Sequence, residues 1–304
     1  MLQQKLIPIP HIAPVKGIRE RLTPYFYLAP AFIFILAVFI YPIIYIMQTS
    51  LTEVTEDRGV VLGFANYNLV FNDPLFFQAA ANNGKLLLAV PVMTLLALLI
   101  SLLLFEQVMG WRLYRTAVFM PYILAVPVVA TVFIYLLGYN GIINTILRGV
   151  GLDFVTQDWL GSSVWVIVSI GVVIIYRELG FGVVLFLARL MSIDKEILEA
   201  AEIDGAQWWQ KHVYVTLPQM VEVLQFYMVV EFITMLSWVF AYVYTMTGGG
   251  PGGASNVMEF YIWKHAFSFH SPGIASALAM VLLISTTVLI IFQLRLRQKP
   301  LDED

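Results

Sequence analysis

The 304 residues contain no cysteine, which excludes disulfides, a thiolate nucleophile and a thiolate metal site, so any loop outside a membrane must hold its shape by packing. A phosphate-binding loop is also missing. Gly84-Lys85 comes nearest, but Ala79 stands where the pattern needs its first glycine and Leu86 where it needs Ser or Thr. There is no HExxH; His265 and His270 have no carboxylates at ligand spacing, and His11 lies in the N-terminal tail, so metal chemistry is not expected. No nucleophile and base pair up, so the chain is not expected to be an enzyme. Charge is scarce as well: Asp, Glu, Lys and Arg make up 12% of the residues against 60% apolar. The net charge of -3 says little in so apolar a chain and gives no ground for a nucleic-acid partner.

What the sequence has instead is apolar blocks of about 20 residues or more, the length of a helix that crosses a bilayer. They predict an all-α polytopic membrane protein with six spans, near Tyr25 to Gln48, Leu86 to Phe105, Thr116 to Leu137, Val164 to Leu187, Gln219 to Met246 and Gly273 to Leu294. Of the 17 Lys and Arg, Lys5, Lys16, Arg19, Arg21, Arg112, Arg115, Arg189, Lys195, Lys211, Arg295, Arg297 and Lys299 fall on one side of this arrangement. The other side holds Arg58, Lys85, Arg148 and Lys264, and Arg177 lies inside a span. The positive-inside rule then puts both termini in the cytoplasm. The expected organisation is a tail over 1–24, a membrane domain over 25–294 and a tail over 295–304, with the first span as an uncleaved anchor.

The longest polar interruption, 190–218, reads as a helix-turn-helix built to dock onto a partner. Asp194 can cap a helix over Lys195 to Ile203, and Ala200 and Ala201 keep its surface slim. Asp204-Gly205 ends it, because glycine readily takes the positive φ of a helix C-cap. Trp208, Trp209 and His212 form a second short helical stretch, and Pro218 suits the first turn of the next hydrophobic helix.

This run resembles the EAA loop of permease subunits in binding-protein-dependent ABC importers. Glu199-Ala200-Ala201, Asp204-Gly205-Ala206 and Leu217-Pro218 stand where that family has them, and His212 stands where it usually has Phe. Thr247-Gly248-Gly249-Gly250-Pro251, with Tyr261-Ile262-Trp263 and Ala266-Phe267, is similar to the last external loop of the sugar-importing branch, the maltose and glycerol-phosphate type. Gly63 with Asn66-Tyr67, Asp73-Pro74, Pro121-Tyr122 and Gly141 with Asn144 extend the likeness from about Pro24 to about Arg297. Gly248, Gly250 and Gly253 also spell GxGxxG, but no strand precedes them, and a flexible external turn is the expectation.

Three charged residues fall near the middle of spans: Arg177 and Glu178 in the fourth and Glu231 in the fifth. Each costs roughly 2.5 to 3.5 kcal/mol at the bilayer centre, so each needs a partner or a polar cavity. Arg177 and Glu178 are adjacent and point about 100° apart on a helix, which argues against their neutralising each other. One reading is an interhelical bridge from Arg177 to Glu231. The other sets Glu231 on a polar cavity with Thr234, Trp238 and Tyr242, which share a helix face at i, i+3, i+7 and i+11. Carboxylate beside aromatic rings suits a polyhydroxylated ligand. The resemblance implies solute contacts from this segment and from Glu178 through Phe181, although the family position matching Glu231 is normally small or amide-bearing. For Phe181 and Trp238, ordinary helix packing competes with ligand contact. Pro91 and Pro127 fall inside spans, where they can kink a helix.

Taken as a member of that family, the chain is expected to form half of a pathway for a neutral sugar in a bacterial inner membrane. The implied partners are a second homologous permease, two ATPase subunits that bind ATP and Mg, membrane lipid, and an extracytoplasmic solute-binding protein that meets Gly249, Gly250 and Pro251. A proton-coupled secondary transporter using Glu178 or Glu231 is the alternative; it leaves the 199–218 pattern unexplained.

Overall fold

The computed structural model describes residues 18–55, 59–107 and 109–297. The chain divides into two units, 1–48 and 49–304. In the first, α1 (Ile18–Ile35) runs through a π-helical turn at Leu36–Ile40 into α2 (Tyr41–Leu51). Residues 25–51 form a strongly apolar helical stretch long enough to cross a membrane.

The second unit opens with a hairpin that the sequence did not announce, β1 (Thr52–Thr55) against β2 (Gly59–Leu62). Then follow α3 (Ala65–Phe71), α4 (Pro74–Leu87), α5 (Ala89–Phe105), α6 (Trp111–Ile123), α7 (Val126–Leu137) and α8 (Ile142–Gly149). Next come α9 (Val166–Leu190), α10 (Lys195–Ile203), α11 (Trp208–Gln210), α12 (Leu217–Ser237), α13 (Phe240–Met246), α14 (Met258–Trp263) and α15 (Pro272–Arg297). Six helical stretches among the described residues are long and apolar enough to cross a membrane, as expected: 25–51, 74–105, 126–149, 166–190, 208–237 and 272–293.

The core forms around α9, which packs on α5, α6 and α12. Two glycines make this approach possible. A Cβ on Gly182 would lie 2.7 Å from Tyr227 Cζ and 2.9 Å from Ala97 Cβ, and one on Gly180 would lie 2.7 Å from the Val118 carbonyl. Small residues at such crossings let membrane helices reach van der Waals contact, their main source of association energy.

Two expected spans are broken. The one read as 116–137 stops at Ile123, and Leu124 and Ala125 are extended before α7 begins. Pro127 explains this: it has no N–H for the Ile123 carbonyl four residues back, and its ring clashes with that carbonyl, so a continuous helix is broken there, whereas it fits the first turn of the helix that follows. It starts a helix here; it does not kink one. The span read as 219–246 stops at Ser237, and Trp238 leaves the helix at φ -134° before α13. No proline or glycine stands there. Conversely, the second helical stretch of the 190–218 segment is not separated from α12, because a π-helical segment over Lys211–Thr216 joins them.

Candidate coupling loop and solute pathway

Within 190–218 the expected turn is present. α10 covers the predicted residues, and Gly205 ends it at φ +81°. Asp194 occupies the N-cap position, but its side chain makes no capping bond. Glu199, Ala200, Asp204 and Gly205 are exposed, with Ile197 and Ile203 beside them, whereas Leu198 is buried and anchors the helix from its other face.

The base of the loop is held by charges from three elements. Lys211 Nζ lies 2.7 Å from Glu202 Oε1 and 3.4 Å from Glu106 Oε1, at the end of α5. Glu202 is exposed, and its hydrogen bond and charge pairing with Lys211 hold its carboxyl below the usual range. His212 Nε2 lies 3.1 Å from Glu106 Oε1, its Nδ1 lies 3.3 Å from Thr216 Oγ1, and its ring meets Trp208 edge to face. So where the resembled family usually has Phe, this chain has an imidazole that reaches the second span. Glu106 was missed in the sequence because it lies about a hundred positions from its partners. Leu217 and Pro218 simply open α12.

Mid-membrane, the charges pair otherwise than by an Arg177 to Glu231 bridge. Arg177 Nη1 donates to Glu178 Oε1 at 2.5 Å, so adjacent residues do neutralise each other: a long guanidinium bends back across the 100° between them. Arg177 Nε donates to the Leu124 carbonyl at 3.0 Å, and its guanidinium lies over the Tyr122 ring, 5.3 Å from the centroid. The break before Pro127 frees that carbonyl, and a carbonyl without a donor is costly inside a membrane. Glu178 Oε1 also accepts from the Tyr242 hydroxyl at 3.1 Å.

Glu231 is 1% exposed and its Oε2 has no partner, as is the Tyr227 hydroxyl one turn away. The expected common face of Glu231, Thr234, Trp238 and Tyr242 does not form, because the helix ends at Ser237. Thr234 Oγ1 bonds back to Val230, Trp238 is 72% exposed, and Tyr242 is buried in α13. Phe181 stacks on Tyr122 with centroids 5.5 Å apart and touches Tyr227, so aromatic packing accounts for its contacts. The resulting layer of Tyr122, Arg177, Glu178, Phe181, Tyr227, Glu231 and Tyr242 brings α6, α9, α12 and α13 together.

The glycine-rich turn, expected to be flexible, is packed and hydrogen-bonded. Gly249, at φ +80°, is buried: a Cβ there would fall 2.2 Å from Asn256 Oδ1 and 2.7 Å from the Phe260 ring. Gly250 and Pro251 are half-buried, and Gly248 and Gly252 are exposed. Asn82 Nδ2 donates to the Ala254 and Asn256 carbonyls, and Asn83 both donates to the Met235 carbonyl and accepts from Met258 N–H. Ser255 Oγ closes the turn onto the Gly250 carbonyl.

Six membrane-length helical stretches, with a polar helix-turn-helix between the fourth and the fifth, define a polytopic membrane protein. The chain belongs to the family of binding-protein-dependent transport system inner membrane components, whose model matches residues 84–300. It is 34% identical over 285 residues to the probable ABC transporter permease protein YurN of Bacillus subtilis, covering 91% of this chain and 96% of that one. It is 30% identical over 275 residues to the lactose transport system permease protein LacF of Rhizobium radiobacter, covering 88% and 91% respectively. The fold matches a bacterial ABC transporter involved in the import of the acidic polysaccharide alginate, with a TM-score of 0.78 and 24% identity over 93% of this chain and 98% of that one. The chain is therefore a multi-pass, non-catalytic permease subunit, and nothing favours the proton-coupled alternative.

Proposed function

We propose that this chain is one of two membrane subunits of an ATP-driven importer for a neutral sugar or oligosaccharide, with both termini and the 190–218 loop in the cytoplasm. The observation that carries the reading is the loop itself: Glu199, Ala200, Asp204 and Gly205 form an exposed face on a base braced by Glu106, Lys211 and His212. Such a rigid, open segment can pass a push from an ATPase to α12. ATP and Mg belong to two ATPase partners, the second half of the pathway to a homologous permease, and delivery of the solute to a binding protein that meets the turn around Gly250 and Pro251. Closure of the ATPases would rock the helices between inward-open and outward-open states.

The solute class follows from the buried layer and from relatives named for transport of lactose, arabinooligosaccharides and diacetylchitobiose. Arg177 is taken by Glu178, and Glu231 Oε2 is sealed without a partner, so among the described residues the layer offers a phosphate no free counter-charge. Burying an unpaired charge there costs several kcal/mol, which disfavours a sugar phosphate. Hydroxyls would instead donate to Glu231 while Tyr227, and Trp238 at the break, cover the C–H faces of the ring. In proteoliposomes holding the assembled importer, a neutral disaccharide should be taken up in preference to its phosphorylated form. Glu231→Gln should keep part of that uptake and Glu231→Leu none. Preference for the phosphorylated sugar, or full uptake by Glu231→Leu, would rule the solute reading out.

A further inference from the structure

The break after Trp238 exposes backbone amides that no residue of the fifth span can satisfy, and the group that answers them comes from elsewhere. Glu259, in the first turn of α14, accepts the Val239 N–H at Oε1 across 3.1 Å, and the Phe240 N–H also bonds to this carboxyl. Its Oε2 is sealed from solvent and has no partner. We propose that Glu259 is a positioning residue that ties the 247–257 turn to the break in the fifth span, and that the tie loosens as the pH on that side of the membrane rises.

The geometry supplies both halves of this statement. α14 follows the glycine-rich turn directly, and Asn82 and Asn83 fix the same stretch to α4, so Glu259 is the side chain through which the turn grips the amide side of the break. A carboxyl with one sealed, unpartnered oxygen is held more cheaply as the neutral acid than as the anion, because only the anion gains by moving into water. Burial accordingly pushes Glu259 up to about 7, against an ordinary 4.5, although its two backbone donors favour the anion. Titratable side chains on the elements packed against α14 are Lys85 on α4, Tyr242 and Tyr244 on α13, Lys264 and His265 just beyond α14, and Arg295 on α15; Asp73, before α4, is held by Tyr261 of α14 itself. None of their charges contributes to the rise.

Because the docked form binds the proton more tightly than the released form, docking is favoured fully below the ordinary value of 4.5. That advantage is lost as pH climbs through about 7. If the reading of the pathway given above holds, the pH outside would then adjust how firmly the break beside Trp238 and Tyr242 is held. The test itself needs no solute and no partner, so it stands or falls separately from that reading.

Hydrogen exchange of the Val239 and Phe240 amides in the full chain in lipid nanodiscs, corrected for intrinsic rate, reads the tie directly. Between about pH 5 and about pH 8 the wild-type protection factor should fall by more than about tenfold. Glu259→Gln keeps an acceptor of the same shape, so it should stay protected with no dependence on pH; Glu259→Leu should lose protection at every pH by at least about tenfold. A flat wild-type profile overturns the proposal, as does a Glu259→Gln profile that falls like the wild type. Wild-type protection in Glu259→Leu does so too, and if that variant does not fold, the wild type and Glu259→Gln decide the matter.

Discussion

The two broken spans solve the same problem with opposite charges. At Leu124 the break precedes Pro127, which has no N–H to leave unsatisfied, and a cation, Arg177, takes the freed carbonyl. At Trp238 there is no proline, so amides as well as carbonyls are released. There a carboxyl, Glu259, takes the Val239 N–H while Asn83 takes the Met235 carbonyl. The first clasp comes from a spanning helix and is locked by Glu178; the second comes from a short helix attached to a turn. A break with proline can therefore be a fixed feature of the fold. A break without it depends on a segment that a partner could displace.

Removing the fixed clasp should have the largest effect. Arg177→Met leaves Glu178 an unpaired buried anion and the Leu124 carbonyl without its donor, at a cost of about 3 to 5 kcal/mol. Detergent-extracted yield should collapse, and adding Glu178→Gln should recover part of it. Adding Glu231→Leu should not, since Glu231 does not meet Arg177. Equal rescue by the two second changes would mean that the pairing is shared.

Asn83→Ala tests the second break more gently. It deletes one bond to the Met235 carbonyl and one from Met258 N–H, worth about 1 to 3 kcal/mol when buried partners are stranded. The thermal midpoint should fall, and amide exchange should quicken at Met258 while the Leu124 break is unaffected. Acceleration at both breaks would show that they are one cooperative unit.

The smallest effect should come from Glu106→Gln at the base of the docking loop. Glu106 is about a third exposed, so solvent and salt screen its pair with Lys211, and about 1 kcal/mol or less is at stake. The loss should be measurable by thermal denaturation at low ionic strength and vanish at high salt. A loss that persists at high salt would mean that the His212 contact, not the Lys211 pair, dominates.

How much of this was legible follows the same physics. Apolar length is a local property, so the six spans could be read directly; so could Gly205, because positive φ has a residue-level signature. Pro127 reads from the sequence as a kink inside a continuous span, whereas it opens a new helix after a break. Nothing near Trp238 marks the second break, whose freed Val239 N–H is taken by Glu259 some twenty positions away. The Arg177–Glu178 pairing runs against their Cβ directions, which a four-bond side chain can override. Polar residues inside predicted spans were the one usable signal for the clasps, and Asn82 and Asn83, which carry it at the edge of the second span, went unread.

The account rests most heavily on the loop as the link between ATP hydrolysis and the membrane, and Gly205→Val tests that link with least disturbance elsewhere. Gly205 is exposed and a Cβ there meets nothing within 4 Å, so the substitution acts through its φ of +81°, which a β-branched residue adopts only at a cost of about 1 to 3 kcal/mol. In the reconstituted importer, Gly205→Val should assemble at wild-type yield while solute-stimulated ATP hydrolysis and uptake fall together by at least about tenfold. Wild-type hydrolysis and uptake in that variant would contradict the account.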